Sequence, residues 1–137
     1  TNAVICGSWF FTGDLGYLDS KGNLVLTGRV RNEINTGGIK VTPEDIDLIL
    51  ERHPKIIESC TFGMPDDLAG EIVATAIIIK GKSSLLAHEI YKWTCKYISD
   101  YKAPKVWYKV EEIPKTLRGK INREEVAKYC SKIQKMK

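Results

Sequence analysis

The sequence has no Cys-x-x-Cys pair and only two histidines, His53 and His88. A zinc site needs closely spaced ligands of these types, so that class of metalloprotein is disfavoured. No uninterrupted apolar run approaches the roughly 20 residues that cross a bilayer, which excludes a membrane-spanning helix. The chain opens on Thr1 without a methionine, and no charged-then-apolar leader follows. This reads as a piece of a longer polypeptide. There is no internal repeat, no low-complexity segment and no aromatic-rich RNA-binding motif, so nucleic-acid recognition has no support beyond charge.

What remains is ordinary globular material, 137 residues with 43% hydrophobic and 28% charged side chains. The length suits one domain, or one domain plus part of another. Cys6, Cys60, Cys95 and Cys130 stand far apart and read as reduced, mostly buried thiols of a cytoplasmic protein. The net charge of +4 is uneven: Tyr101 to Lys137 holds 11 basic and 4 acidic residues, the first hundred 10 and 13. A basic final third suits an anionic small molecule, a membrane surface or nucleic acid, or it is the solvated face of a terminal helix.

Along the chain, Leu15–Leu18 and Leu24–Thr27 flank the turn-forming Asp19-Ser-Lys-Gly-Asn23, which predicts a β-hairpin. Polar residues dominate 28–32 without a core-forming pattern, and the stretch reads as a linker or hinge. A second hairpin is expected around Thr36-Gly37-Gly38, between 33–35 and 39–41. Thr42-Pro43-Glu44-Asp45 opens a helix carrying Ile46, Ile49 and Leu50 and stopped by Pro54. Ser59–Met64 and Ile72–Lys80 read as strands, and the run 72–79 is apolar enough for a central strand buried on both faces. Leu86, Ile90, Trp93 and Tyr97 make a helical stripe expected to stop near Asp100. Lys105–Val110 alternates as a strand does. After the Pro114–Lys120 loop, a last helix begins at Asn122 with Glu125 as capping partner. The fold class is α+β: two β-hairpins leading into a small mixed sheet flanked by about three helices.

Three stretches carry chemistry. In Thr12-Gly13-Asp14 a carboxylate stands on a glycine turn, where it can accept the paired hydroxyls of a ribose or cap its own turn. Gly37-Gly38 permits positive φ for a hairpin, or close approach of another molecule. Pro114-Lys-Thr-Leu-Arg-Gly-Lys-Ile-Asn-Arg123 places Lys120 directly after a glycine, between a strand and a helix. A lysine there is a compact mobile cation for phosphate or carboxylate, or it is solvated surface.

Together, Trp9-Phe-Phe-Thr-Gly-Asp14, Gly28-Arg29, Gly37-Gly38 ahead of Pro43-Glu44-Asp45-Ile46, and Pro114-Lys-Thr-x-x-Gly-Lys120 resemble the C-terminal portion of adenylate-forming (AMP-binding) enzymes. This is the superfamily of acyl-CoA synthetases, peptide-synthetase adenylation domains and beetle luciferase. The resemblance covers essentially the whole chain up to its last lysines. It implies that residues 1–30 are the last strands of a large N-terminal adenylation domain with the approach to a hinge, and that 31–137 are its mobile C-terminal lid.

The implied activity is that of an ATP-dependent carboxylate–CoA ligase. A carboxylate attacks the α-phosphate of ATP to give acyl-AMP and pyrophosphate, the lid rotates, and the thiol of coenzyme A displaces AMP. Carried over by position, Lys120 is the adenylation lysine, Asp14 holds the ribose and Arg29 meets the nucleotide beside it. Arg31 falls at the hinge, where the family usually has Asp or Lys. Gly37 and Gly38 line the thiol and pantetheine channel, whereas Lys115 and Arg118 read as surface. ATP/AMP and coenzyme A are implied, with Mg2+ in the parent enzyme but no metal ligand in this chain, which also lacks the phosphate loop and the acyl pocket. The expected partners are the chain's own N-terminal domain, a small carboxylate and coenzyme A; the chain alone is expected to be inactive. The alternatives are an adenylation domain that loads a carrier protein and a stand-alone non-catalytic binding module.

Overall fold

The computed structural model describes residues 4–6, 9–29 and 32–137. In chain order the elements are β1 (Val4–Cys6), β2 (Trp9–Phe11), β3 (Asp14–Leu18), β4 (Leu24–Arg29), β5 (Ile34–Thr36), β6 (Ile39–Val41), α1 (Pro43–Leu50), β7 (Ile56–Asp66), β8 (Gly70–Ile79), α2 (Ala87–Thr94), β9 (Val106–Lys109) and α3 (Arg123–Cys130). The α+β class is as expected, and the structure adds a short antiparallel pair, β1 with β2, that the sequence did not signal.

The β3–β4 hairpin forms where its turn residues place it. Asp19 accepts hydrogen bonds from the Asn23 and Lys21 backbone N–H groups at 2.8 and 2.9 Å, which closes the turn. The expected linker at 28–32 needs correction, because β4 continues through Gly28 and Arg29, paired with Leu15 and Asp14. An ion pair between Arg29 and Asp14 supports that extension. Arg31, the expected hinge residue, lies outside the described residues.

The main sheet has the order β6-β5-β8-β7, with β9 also lying on β8. The apolar run 72–79 is its centre: antiparallel to β7 along one edge, parallel to β9 and briefly antiparallel to β5 along the other. The second hairpin, β5–β6, is therefore part of the mixed sheet and does not merely lead into it.

Strand alternation divides the core in two. Val73, Ile77 and Ile79 face Ile46 and Leu50 of α1 and Ile90 of α2. Ala74 and Ala76 face Val126 and Cys130 of α3. Those alanines are small, so Phe62 and Tyr108 from the flanking strands stack above β8 with ring centroids 6.4 Å apart. Thr75, the polar member of the run, is satisfied by the Thr61 hydroxyl 2.9 Å away at the matched position of β7.

Several boundaries differ from expectation. Helix α1 stops at Leu50, before Pro54, and Thr42 precedes it without a side-chain cap. Strand β7 is longer at both ends than Ser59–Met64. Helix α2 ends at Thr94, whose hydroxyl turns back to the Ile90 carbonyl at 2.8 Å, well before Asp100. The stripe is consequently not all core: Ile90 is buried, but Leu86 and Tyr97 are each 49% exposed. Helix α3 begins as expected, with the Asn122 side chain accepting the Glu125 N–H at 3.3 Å.

Candidate functional site

The loop after β9 is rooted by Val110 and Ile113, both buried in the α3-side core. It then folds on itself. The Thr116 N–H donates to the Lys120 carbonyl at 2.6 Å and the Gly119 N–H to the Thr116 carbonyl at 2.8 Å. A φ of +78° at Gly119 makes that turn possible. Lys115 pairs with Ile121 across the loop base, and the Asn122 N–H donates to the Pro114 carbonyl at 3.0 Å. Lys120 thus stands at the rim of a tied loop with its side chain in solvent. Among the described residues its ammonium has no ion pair. An exposed cation on a rigid mount is free to meet an anion from outside. Lys115, read as surface, is exposed and pairs there with Glu58 of β7 at 2.8 Å.

The residue that closes the loop's far side was missed in the sequence. Arg123, the first residue of α3, turns its guanidinium inward: Nη1 donates to Asp47 Oδ2 at 2.7 Å and to the Thr61 carbonyl at 2.8 Å. Asp47 Oδ1 in turn accepts the Thr61 N–H at 2.8 Å. Among the described residues strand β7 ends the sheet order, so its outer backbone groups have no strand partner there. The Asp47–Arg123 pair satisfies both the N–H and the C=O of that edge at Thr61, forming a closed ring of hydrogen bonds. Glu44, one turn before Asp47, accepts from Asn32 Nδ2 at 2.8 Å and lies 3.9 Å from Arg123 Nη2.

Asp47 is only 6% exposed. Burial pushes its carboxyl up to about 6, against the pull of the Arg123 guanidinium, which leaves it ionised at neutral pH. Nearby, burial pushes the Cys60 thiol up to about 12 and Cys130 up to about 11, so neither is a nucleophile at neutral pH. A signal for Asp47 was available, since Pro43, Asp47 and Leu50 are spaced four and three apart on the face of α1 that is buried.

The other expected site residues fall into separate places. Asp14 does not cap its own turn; its carboxylate takes Arg29 Nε at 2.6 Å, and its N–H donates to Thr12 Oγ1 at 3.2 Å. Gly37 and Gly38 have φ of +59° and +87°, as a tight two-residue hairpin turn requires. The Gly37 N–H donates to the Ala69 carbonyl at 2.8 Å and the Gly38 N–H to Asn35 Oδ1 at 3.1 Å. A Cβ built on either glycine meets nothing within 4 Å. No described hydrogen bond or ion pair joins Lys120 to Asp14, Arg29 or the glycine pair. A cleft of about 470 Å³ opens between Asn32, Ile34, Phe62 and the loop residues Thr116 and Ile121, with Arg123 in its wall and Lys120 outside it. Among the described residues, no three His, Cys, Asp or Glu side chains gather as a metal site would need, and no helix is long and apolar enough to cross a membrane.

Comparison with known proteins gives a consistent result. The family model described as "AMP-binding enzyme C-terminal domain" matches residues 45–120. An oxalate–CoA ligase of Saccharomyces cerevisiae is 41% identical over 130 residues, which is 95% of this chain and 24% of that protein. A 4-chlorobenzoate–CoA ligase of Arthrobacter is 33% identical over 131 residues, or 94% of this chain and 24% of that protein. The solved structure of o-succinylbenzoate CoA synthetase from Bacillus subtilis, in complex with its acyl-adenylate intermediate, superposes with a TM-score of 0.84 at 25% identity, over 97% of this chain and 26% of that one. The chain spans about a quarter of the length of the curated relatives it matches.

Proposed function

The chain belongs to the family of AMP-binding enzyme C-terminal domains, and from that premise we propose that it is the lid of an ATP-dependent carboxylate–CoA ligase. The observation that carries the reading is the Lys120 ammonium, exposed and without an ion pair among the described residues, on a loop tied at its base. In the first half-reaction a carboxylate oxygen attacks the α-phosphorus of ATP and pyrophosphate leaves. Negative charge passes from the carboxylate to the α-phosphate oxygens and the leaving pyrophosphate oxygen, and the Lys120 cation offsets the repulsion between the two anions and stabilises the charge as it shifts. In the second, the coenzyme A sulfur attacks the acyl carbonyl and AMP leaves as the free phosphate monoester. The lid presents a different face for that step, with Gly37 and Gly38 flanking the pantetheine arm.

Asp14 accepts the ribose hydroxyls, and Arg29, already bonded to it, holds that carboxylate in place beside the nucleotide. Residues 1–30 belong to the large domain and 31–137 to the lid, with Arg31 at the hinge between them. Magnesium would serve the ATP phosphates in the parent enzyme; among the described residues no acidic cluster stands ready to hold it. The free thiols Cys60, Cys95 and Cys130 suit a reducing compartment, and we assign the enzyme to the cytoplasm.

The test is to purify the polypeptide that carries this chain in its source and supply ATP, coenzyme A and a panel of small carboxylates that includes oxalate and 4-chlorobenzoate. AMP and an acyl-CoA should appear together. Transfer to a phosphopantetheinylated carrier protein with none to coenzyme A would overturn the ligase reading. The isolated chain should form no acyl-AMP in a single turnover, and if it does, the assignment as a lid fails.

A further inference from the structure

We infer that Arg123, held by Asp47, is a positioning residue for Lys120. This rests on the reading of Lys120 as the adenylation lysine. The loop from Pro114 to Asn122 is a self-contained unit, closed by the Lys115–Ile121 bridge and by the Asn122-to-Pro114 hydrogen bond of 3.0 Å. Such a unit holds its own shape but does not thereby hold its place on the domain. Apolar packing of Ile113 and Ile121 against the α3-side core anchors its base, and two polar ties add direction.

At the loop's start, the Lys115–Glu58 pair of 2.8 Å joins it to β7, but Lys115 is 46% exposed, so that tie is solvent-screened. At the loop's end the tie is Arg123, three residues after Lys120 and 15% exposed. Its guanidinium bridges three elements at once: α3, of which it is the first residue, α1 through Asp47, and the free edge of β7 through Thr61. Each partner in the ring fixes another. Asp47 is oriented by the Thr61 N–H, Arg123 by Asp47 and the Thr61 carbonyl, and the start of α3 by Arg123.

A hydrophobic filler at these positions would pack as well without setting any direction; a buried charge pair sets one. Both hydrogen bonds leave Nη1, whose two hydrogens are fixed in the guanidinium plane, while Nη2 faces Glu44 at 3.9 Å; a lysine ammonium rotates freely and has no second arm, so it does not reproduce this geometry. Catalytic groups lose rate steeply when displaced, on the order of 10²-fold for a shift of about 1 Å. The Asp47–Arg123–Thr61 ring sets where Lys120 stands when the lid closes for adenylation.

The experiment uses the full-length enzyme and three variants, Lys120→Ala, Arg123→Lys and Asp47→Asn, each assayed for acyl-AMP formation and, separately, for thioester formation from supplied acyl-AMP and coenzyme A. Arg123→Lys and Asp47→Asn should each slow adenylation roughly 10- to 100-fold and leave thioester formation within about threefold, which also certifies the fold. In the double variants with Lys120→Ala, neither should slow adenylation further, because the ring acts through Lys120. Equal slowing of both half-reactions, or full additivity with Lys120→Ala, would overturn the positioning role. If Lys120→Ala itself spares adenylation, the underlying reading fails, and that result is distinct from the others. Where Arg123→Lys fails to fold, the near-isosteric Asp47→Asn gives the same decision.

Discussion

Replacing Gly38 by alanine separates two demands that the glycine pair places on the chain. The backbone there has a φ of +87°, and an L-residue in left-handed geometry costs roughly 1–2 kcal/mol. The added Cβ meets nothing within 4 Å, so no clash adds to that figure. For a chain of this size the strain corresponds to a fall in Tm of roughly 3–10 °C, readable by thermal unfolding of the chain. Backbone strain of this size on an exposed turn leaves the Lys120 loop untouched, so in the full-length enzyme adenylation should hold within about twofold. The methyl does, however, project into the space assigned to the pantetheine arm. Thioester formation from supplied acyl-AMP should therefore fall about tenfold or more, the equivalent of about 1.4 kcal/mol. Half-reactions measured in parallel, with Gly37→Ala at φ +59° as a second case, decide the matter. If transfer falls no further than adenylation, the glycines serve the hairpin alone and the channel assignment is wrong.

Three other outcomes follow from the same geometry. Asp14→Asn should raise the KM for ATP roughly tenfold, as loss of a charged hydrogen-bond acceptor does. It should change stability by under about 1 kcal/mol because its ion pair is partly exposed; an unchanged KM with a lowered Tm would refute the ribose role. Ile77→Ala, at a fully buried position of β8, should cost about 2–5 kcal/mol in urea unfolding. A loss under 1 kcal/mol would contradict its place in the core. Burial holds the Asp47 carboxyl at about 6, above its ordinary 3.8, so the folded chain binds that proton more tightly than the unfolded chain. Its contribution is fully present below pH 3.8 and lost as the pH rises through about 6. The stability of the native chain relative to Asp47→Asn should therefore decline between pH 4 and 6.5. A difference that stays constant over that range argues against a raised pKa.

Much of this fold was legible because its signals are local. An eight-residue apolar run with one threonine has no wet face, so β8 had to be central. Asn122 and Glu125 announced the start of α3 through side-chain chemistry confined to one turn. The boundaries that moved depend on distant contacts. Strand β4 reaches Arg29 because Asp14 waits across the hairpin, and α2 stops at Thr94 where its hydroxyl bonds back to Ile90. The candidate site divides the same way. Lys120, Asp14 and the glycine pair stand out by their immediate neighbours. Arg123 and Asp47 are 76 positions apart, and their partnership exists only once α1, β7 and α3 have been brought together. Asp47 alone gave a hint, as a charge on the apolar face of a helix, and such a residue needs a buried partner.

The proposed adenylation chemistry turns on Lys120, and its most direct test is the rate of each half-reaction in the full-length enzyme carrying Lys120→Ala. Loss of a placed cation should slow acyl-AMP formation by roughly 10²–10³-fold, while thioester formation from supplied acyl-AMP stays close to that of the native enzyme. Equal loss in both half-reactions, or full adenylation without the lysine, would contradict it.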